Sequence, residues 1–304
     1  MRTTTAPTPT DQTGDSRFAA ADEAASAAAR RLRWRRRALV WLARLAFVGL
    51  IVGGWQLCTG WTPNGGSTPL VDPFFFGRPS LVWQRTIELF RDGTSYGSFW
   101  FDIFTTMHEA VYGFFCGAVA GIVLGVVLGQ SAFLADVIGP FIKMVNAIPR
   151  IVLGSIFIVA FGVGSTPKIL LAAVLVFFVV FFNAFQGVRE VDRNIVANAR
   201  VLGGSPLQIV RHVTVPSALT WITASLHTAF GFAIVGALVG EVLGAQRGLG
   251  LIIRTSQNRF DPNGVFACML VIAVITLGAE FLIGLVEKRL LSWRPVDQST
   301  WSGV

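Results

Sequence analysis

Charged residues are scarce in this sequence. Asp, Glu, Lys and Arg make up 14% of its 304 residues, whereas soluble globular chains carry about 25%. A soluble enzyme or a secreted globular domain is therefore excluded. Apolar residues supply 53% of the chain, including 25 Phe, and they fall in long continuous runs. Such runs are typical of membrane-spanning helices rather than barrel strands, so the predicted fold class is an all-α membrane protein.

Cysteine is rare, and the common catalytic patterns are missing. Cys58, Cys116 and Cys268 lie within or beside apolar runs, and their spacing fits neither a disulfide framework nor a metal site. The phosphate-binding pattern G-x-x-x-x-G-K-[ST] does not occur, so we expect no cofactor, and no ATP by that route, on this chain. Neither G-x-S-x-G nor H-E-x-x-H is present, so no catalytic residues are predicted and an integral membrane enzyme has no candidate site.

The apolar residues fall into six candidate membrane spans: 38–58, 110–129, 135–163, 169–187, 218–240 and 264–286. The third is interrupted by Pro140, Lys143, Pro149 and Arg150. Proline removes a backbone hydrogen bond and bends a helix, so two shorter pieces that meet near Pro149 are expected instead of one straight helix.

Basic residues indicate the orientation of the chain. Eight of the 25 Lys and Arg residues precede Ala38, and such an excess stays in the cytoplasm. Six spans then put both termini in the cytoplasm, in the plasma (inner) membrane. The net charge of +8 reflects this orientation, and no nucleic acid is expected.

The predicted organisation has five parts. Residues 1–37 form a disordered basic cytoplasmic tail, and 38–58 form the first transmembrane anchor. Residues 59–103 form an external loop with an interfacial amphipathic helix, capped by Ser80. Residues 104–290 are the core, including a cytoplasmic loop at 189–216. The last segment, 291–304, is a cytoplasmic tail.

Glycine recurs at every fourth position of the second span, at Gly113, Gly117, Gly121, Gly125 and Gly129. This spacing makes a ridge of small residues on one helical face, where another helix can approach closely in lipid. Packing within one subunit is favoured over a subunit interface or a sliding surface.

Polar residues inside the spans are candidates for a solute pathway, because such residues are costly in lipid. Interhelical packing and snorkelling to headgroups are the alternative interpretations. The candidates are Lys143, Asn146, Arg150, Asn183, His227 and Glu241.

The loop 189–216 is amphipathic and mildly basic. Two short helices on either side of Gly203 and Gly204 would present an exposed apolar face to a groove on a partner. The loop also resembles the EAA motif of ATP-binding-cassette importer permeases: E-A-A, three residues, G, nine residues, I-x-L-P. The matching positions are Ala197, Asn198, Ala199, Gly203, Val213, Thr214, Val215 and Pro216. Ala197 stands where the family has its glutamate, and Asn198 where it has its first alanine.

Four further runs are similar to the nitrate/sulfonate/taurine branch of these permeases, and the similarity covers about residues 73–295. They are Asn146–Arg150, Phe161–Lys168, Gly244–Ile253 and Glu287–Pro295.

The resemblance implies the type I importer permease fold and a transport subunit for a small anionic solute. It also implies a second permease subunit in a homodimer, an ATPase dimer that carries ATP and Mg, an extracytoplasmic solute-binding protein and surrounding lipid. The residues implied to couple to the ATPase are Ala197, Asn198, Ala199, Arg200, Gly203, Gly204, Ser205, Val213, Val215 and Pro216. A stand-alone channel or an ion-coupled carrier is the alternative, although no series of carboxylates runs through the spans as a relay.

Overall fold

Helices dominate the chain, because a segment in lipid must satisfy its backbone hydrogen bonds internally. The computed structural model describes residues 11–60 and 71–290. Residues 1–10 of the predicted N-terminal tail, 61–70 of the predicted external loop and the whole predicted C-terminal tail, 291–304, lie outside the described residues. Within these ranges, β-structure is limited to one isolated bridge between Thr94 and Gly97. The helices are α1 (Asp11–Gly60), α2 (Pro73–Phe76), α3 (Pro79–Asp92), α4 (Phe99–Gln130), α5 (Ala132–Asn146), α6 (Arg150–Phe161), α7 (Ser165–Arg189), α8 (Arg193–Val201), α9 (Pro206–Ile209), α10 (Val215–Leu243), α11 (Leu249–Asn258) and α12 (Pro262–Leu290).

The chain divides into two units, residues 1–73 and 74–304. The first unit contains α1, which includes the predicted anchor at 38–58 and extends back to Asp11. Composition predicts disorder for 1–37, whereas the structure has helix from Asp11 onward. Eight of the twelve residues from Phe18 to Ala29 are alanine, the residue with the highest helix propensity, which accounts for this difference.

Five described helical segments are long and apolar enough to cross a bilayer: Trp34–Gly60, Phe99–Gln130, Ser165–Arg189, Pro206–Leu243 and Pro262–Leu285. The pair α5 and α6 can supply a sixth crossing, and its two helices meet at 87°. The bend lies at residues 147–149, so the prediction of two pieces that meet near Pro149 is confirmed. Pro140 lies inside α5 without ending it.

In the second unit, α7 packs on α4 and α10, and α4 and α10 also contact each other. The glycine ridge of α4 faces α7 so closely that a Cβ atom added to a ridge glycine would collide with atoms of α7. A Cβ on Gly121 would lie 2.9 Å from the Phe177 carbonyl oxygen, and one on Gly125 would lie 2.8 Å from that of Phe181. Gly113 and Gly117 meet Ala172 and Ala173 in the same way, and Gly129 meets Val188.

Helix α7 is packed against α10 by the same means. A Cβ on Gly236 would lie 2.9 Å from the Ala172 backbone nitrogen, and one on Gly240 would lie 3.1 Å from the Lys168 Cα. The buried core fills the space around these contacts with small and aromatic side chains. Its members are Ala110, Phe114, Ala118, Val176, Val180, Ala229, Phe230, Ala233, Ile234 and Ala237.

The amphipathic helix predicted in the first loop is α3, and its start differs from the prediction. Arg78, not Ser80, occupies the N-cap position, and Pro79 begins the helix because it has no amide hydrogen to satisfy there. One face of α3 packs on α12. Arg85 Nε lies 3.5 Å from Asp261 Oδ2.

The glycine ridge gives a stability prediction. Gly121→Ala should destabilise the protein by about 1–3 kcal/mol, because the new methyl group forces the α4 and α7 backbones apart. Gly231→Ala is the matched control, since an added Cβ there has nothing within 4 Å. The two variants are heated in detergent, and size-exclusion chromatography measures the fraction that remains folded at each temperature. Equal midpoints for both variants would contradict the assigned contact.

Candidate functional sites at the two ends of the helical core

The helical core has polar structure at both ends. We call the end formed by α8, α9 and the last turns of α4 and α7 the α8 end. We call the opposite end, where the first turns of α4 and α7 meet the end of α10 and the start of α11, the α11 end. The predicted coupling residues lie at the α8 end.

The turn after α8 has a conformation that its glycines dictate. Gly203 has φ +84°, a left-handed conformation that costs a residue with a side chain roughly 1–2 kcal/mol. The Gly203 amide donates to the Arg200 carbonyl at 2.9 Å, and the Gly204 amide donates to the Ala199 carbonyl at 3.0 Å. These two bonds form a Schellman motif, which ends α8 and satisfies its last carbonyl groups.

The next helix starts immediately, through a capping box. The Ser205 hydroxyl accepts from the Gln208 amide, and the Gln208 side chain accepts from the Ser205 amide. Both ends of the turn are therefore fixed by local hydrogen bonds. The prediction of helices on either side of Gly203 and Gly204 is confirmed, but only α8 is short, because the helix that starts at Pro206 continues to Leu243.

This turn exposes apolar side chains. Val201 is 86% exposed, Leu202 87% and Leu207 77%. The flanking side chains are polar or charged, including Arg200 and Arg211, so this surface does not match a lipid-facing one. An exposed apolar surface with a polar border is typical of a protein-binding site.

The chain from α9 to α10 is one continuous helical path. A π-helical turn, Val210–Thr214, joins them, and Val213, Val215 and Pro216 lie in or just after it. Proline clashes with the carbonyl four residues earlier in a regular helix, and the wider π-turn accommodates this. The helix that supplies the fifth span therefore begins at Pro206 in the structure, whereas the predicted span begins at residue 218.

A cavity of about 650 Å³ lies beneath the turn at the α8 end. Ala197 and Arg200 of α8 line it, together with Arg189 of α7 and Gly129 of α4. Ala197 therefore places a methyl group in this cavity, at the position where the EAA motif has glutamate. The charged side chains that line the cavity are those of Arg189 and Arg200.

The α11 end contains a buried polar cluster. Thr106 Oγ1 donates to Glu241 Oε1 at 2.7 Å and accepts from the Leu249 amide at 2.9 Å. Glu241 Oε2 accepts from the Gly250 amide at 2.6 Å. The Glu241 carboxylate thus binds the first turn of α11, where unpaired amide hydrogens and the helix dipole favour negative charge.

Two more carboxyl groups belong to this cluster. Asp102 accepts from the Gly248 amide at 3.2 Å and from the Thr94 hydroxyl at 3.1 Å. Glu109 pairs with Lys168, with 3.3 Å between Glu109 Oε1 and Lys168 Nζ, and both side chains are almost wholly buried. These contacts link α4, α7, α10 and α11, so the relative positions of four helices depend on them.

The six predicted pathway residues lie in separate places. Glu241 belongs to the α11 cluster, and His227 Nε2 lies 2.8 Å from Glu287 Oε2 of α12. Asn183 donates to the Val179 carbonyl within its own helix. Lys143 lines a cavity of about 480 Å³ with Asp136 and Arg189, and Arg150 donates to Asn146 at 3.4 Å.

Sequence reasoning did not identify the polar cluster as a unit. Glu109, Lys168 and Glu241 each stand at the end of an apolar run, which is the signal that could have marked them. Asp102 and Thr106 precede the predicted second span and gave no such signal.

The described residues thus supply five apolar segments long enough to span a membrane, or six if α5 and α6 form one broken span, and an exposed apolar turn between α8 and α9. Residues 117–292 match the family described as binding-protein-dependent transport system inner membrane component. The chain belongs to this family, and it is a permease of the ABC importer class.

Relatives with known names support this membership. The chain is 29% identical to a Bacillus subtilis (strain 168) protein named as an aliphatic sulfonates transport permease, SsuC, over 84% of this chain and 88% of the relative. It is 30% identical to the riboflavin transport system permease protein RibX of Chloroflexus aurantiacus, over 72% and 81%. It is 26% identical to the taurine transport system permease protein TauC of Escherichia coli K12, over 87% and 94%.

Solved structures show the same fold. The MetNI methionine ABC transporter in an inward-facing conformation matches with a TM-score of 0.56 and 19% identity, over 62% of this chain and 93% of that chain. An amino acid ABC transporter matches with a TM-score of 0.51 and 19% identity, over 69% and 97%. The predicted ABC importer permease fold is confirmed.

The polar cluster gives a second prediction. Thr106→Val should destabilise the protein by about 1–3 kcal/mol, because it leaves the buried Glu241 carboxylate and Leu249 amide without this partner. Thr105→Val is the control, since that exposed hydroxyl bonds only within its own helix, to the Phe101 carbonyl. The same thermal assay in detergent measures both. A Thr105 variant as unstable as the Thr106 variant would argue against the cluster.

Proposed function

We propose that this permease is the membrane-spanning subunit of an ATP-driven importer for a small anionic solute. A second copy of the chain completes the membrane unit. Two separate ATPase subunits, which hold ATP and Mg, bind the α8 end, and an extracytoplasmic binding protein delivers the solute to the α11 end.

The observation that carries the proposal is the rigid apolar turn around Gly203. A docking element transmits force only if it keeps its shape under load. The Schellman motif and the capping box fix the backbone on both sides of this turn, and Val201, Leu202 and Leu207 supply the apolar contact. These features suit a helix that fits into a groove on a motor protein.

The helical path from the turn to the opposite end supports alternating access. Movement of α9 passes through the π-turn into α10, and α10 carries Glu241 at its other end. A shift of the turn therefore acts on the cluster that holds α11 against α4. Rocking of α10 would open one end of the pathway as the other closes.

The source of energy is proposed to lie on a partner chain. The sequence contains no G-x-x-x-x-G-K-[ST] pattern, so the phosphate-binding loop of an ATPase must come from another subunit. The family description, binding-protein-dependent transport, supports a separate binding protein as the partner on the outer side.

The solute class is proposed from the named relatives and from charge. Aliphatic sulfonates and taurine are both sulfonates, and riboflavin is the substrate named for RibX. Lys143 and Arg189 line a cavity beside α5 in which Asp136 is the one acidic lining residue among those that the structure describes. Basic groups of this kind favour an anion.

Orientation can be tested by cysteine labelling. In a variant that lacks the native cysteines, a membrane-impermeant maleimide should label Glu88→Cys in intact cells. It should label Asn198→Cys only after permeabilisation, because that position lies on the proposed cytoplasmic side. Both native side chains are exposed, so access depends on the side of the membrane. Labelling of Asn198→Cys from outside would invert the proposed topology.

ATPase docking can be tested by changing Leu202. A tagged permease purified from its own membranes should bring down a subunit with a phosphate-binding loop, identified by mass spectrometry. Leu202→Asp should reduce that recovery by roughly tenfold, because it puts a charge in the apolar contact. Asn194→Asp adds the same charge to an exposed position at the start of α8 and should leave the recovery unchanged.

The same experiment separates the alternative function. A stand-alone channel or ion-coupled carrier needs no nucleotide-binding partner. Recovery of no such subunit with the unchanged chain, combined with solute uptake in vesicles without ATP, would favour that alternative over the proposal.

A further inference from the structure

The geometry points to a binding site for a small organic oxyanion, of the alkanesulfonate type, in a cavity at the α11 end. The cavity has a volume of about 330 Å³ and is lined by three separate segments of the chain. Its walls include Phe104 and His108 of α4, Ser165 and Lys168 of α7, and Arg247 of the loop before α11. This inference rests on the proposed function for the role of the site, as a stopping point for the solute on its way in.

Two cationic side chains line the cavity. Lys168 has a side chain that is 4% exposed and pairs with one oxygen of Glu109 at 3.3 Å. An ammonium group has three donors, so this pairing leaves donors for a ligand. The Arg247 guanidinium lies 4.7 Å from the centre of the Phe101 ring, and it forms no salt bridge with any residue that the structure describes.

The carboxylates of the polar cluster do not line this cavity. Asp102 and Glu241 are bound to amide groups at the start of α11, and Glu109 is paired with Lys168. Amide groups thus engage Asp102 and Glu241, and Glu109 draws on part of the Lys168 charge. No Asp or Glu side chain is among the cavity-lining residues that the structure describes.

The start of α7 adds to the positive potential. Gly164 is the N-cap residue of this 25-residue helix and makes no side-chain cap hydrogen bond, and both Gly164 and Ser165 line the cavity. Amide hydrogens at the start of a helix, together with its dipole, favour an anion. The cavity thus combines a helix start with the Arg247 guanidinium and with the Lys168 ammonium, which also pairs with Glu109.

The shape and lining fit an organic anion of a few heavy atoms. The oxygen atoms of an oxyanion can accept hydrogen bonds from the planar Arg247 guanidinium and from the Lys168 ammonium. The rings of Phe101 and Phe104 offer apolar contact for a short carbon chain. The Lys168 side chain is 4% exposed and lines the cavity. Only a ligand small enough to enter the cavity can therefore contact it.

The test measures binding of butane-1-sulfonate to the full chain in lipid nanodiscs, by isothermal titration without ATPase or binding protein. The unchanged chain should bind butane-1-sulfonate, and diethyl sulfone, which has no charge, should not bind. Arg247→Gln should weaken sulfonate binding by about tenfold. Arg259→Gln is the matched control, because Arg259 is exposed at the other end of α11 and does not line the cavity.

A second variant tests Lys168 without leaving a buried charge unpaired. The double change Glu109→Gln and Lys168→Gln removes both members of the ion pair, and it should also weaken sulfonate binding by about tenfold. Size-exclusion profiles establish that each variant is folded. Equal affinity in Arg247→Gln and Arg259→Gln, binding of the sulfone as tight as that of the sulfonate, or no binding by the unchanged chain would overturn the inference.

The result is independent of the coupling experiment. The titration uses no ATPase, so a failure of ATPase recovery leaves the anion site standing. Conversely, normal ATPase recovery with unchanged affinity in Arg247→Gln would remove the anion site and keep the proposed importer.

Discussion

Close approach of α7 to both α4 and α10 is the contact on which the rest of the structure depends. In lipid there is little hydrophobic drive to bring helices together, so association relies on dispersion contacts and on interhelical polar contacts. The glycines of α4, together with Gly236 and Gly240 of α10, let the α7 backbone come into direct contact with both helices. Because this three-helix contact fixes the helices relative to one another, the polar side chains at the helix ends are held in defined positions.

The two ends of the core use their polar groups differently. At the α11 end, carboxylates bind the start of α11 and a buried lysine pairs with Glu109, so this end is held together by charge inside the protein. At the α8 end, local backbone hydrogen bonds fix a turn whose apolar side chains remain exposed. The α11 end joins helices through buried polar contacts, whereas the α8 end exposes an apolar surface. The continuous helical path from Pro206 to Leu243 joins them.

Several features followed from local sequence. The four-residue spacing of Gly113 to Gly129 predicts a close helix contact, and α7 supplies it. Pro149 and its neighbours predict the bend between α5 and α6. Gly203 and Gly204 predict a turn between two short helices, because glycine adopts the left-handed conformation that a Schellman motif requires. Local reasoning failed at Ser80, because the helix cap is Arg78, two residues earlier. It also failed in the alanine-rich stretch up to Ala29, where helix propensity competes with low hydrophobicity.

The sequence by itself determined the number of apolar segments, the bend, the glycine ridge and the rigid turn, because each depends on residues within a few helical turns of one another. Only the tertiary structure decided which polar groups meet. Thr106 and Glu241 are 135 residues apart, and His227 pairs with Glu287 instead of sharing a cavity with Asn183. Such pairings depend on how the helices are arranged around α7. An unpaired polar group in lipid is costly, so each polar side chain is expected to have a partner, but the sequence does not identify that partner.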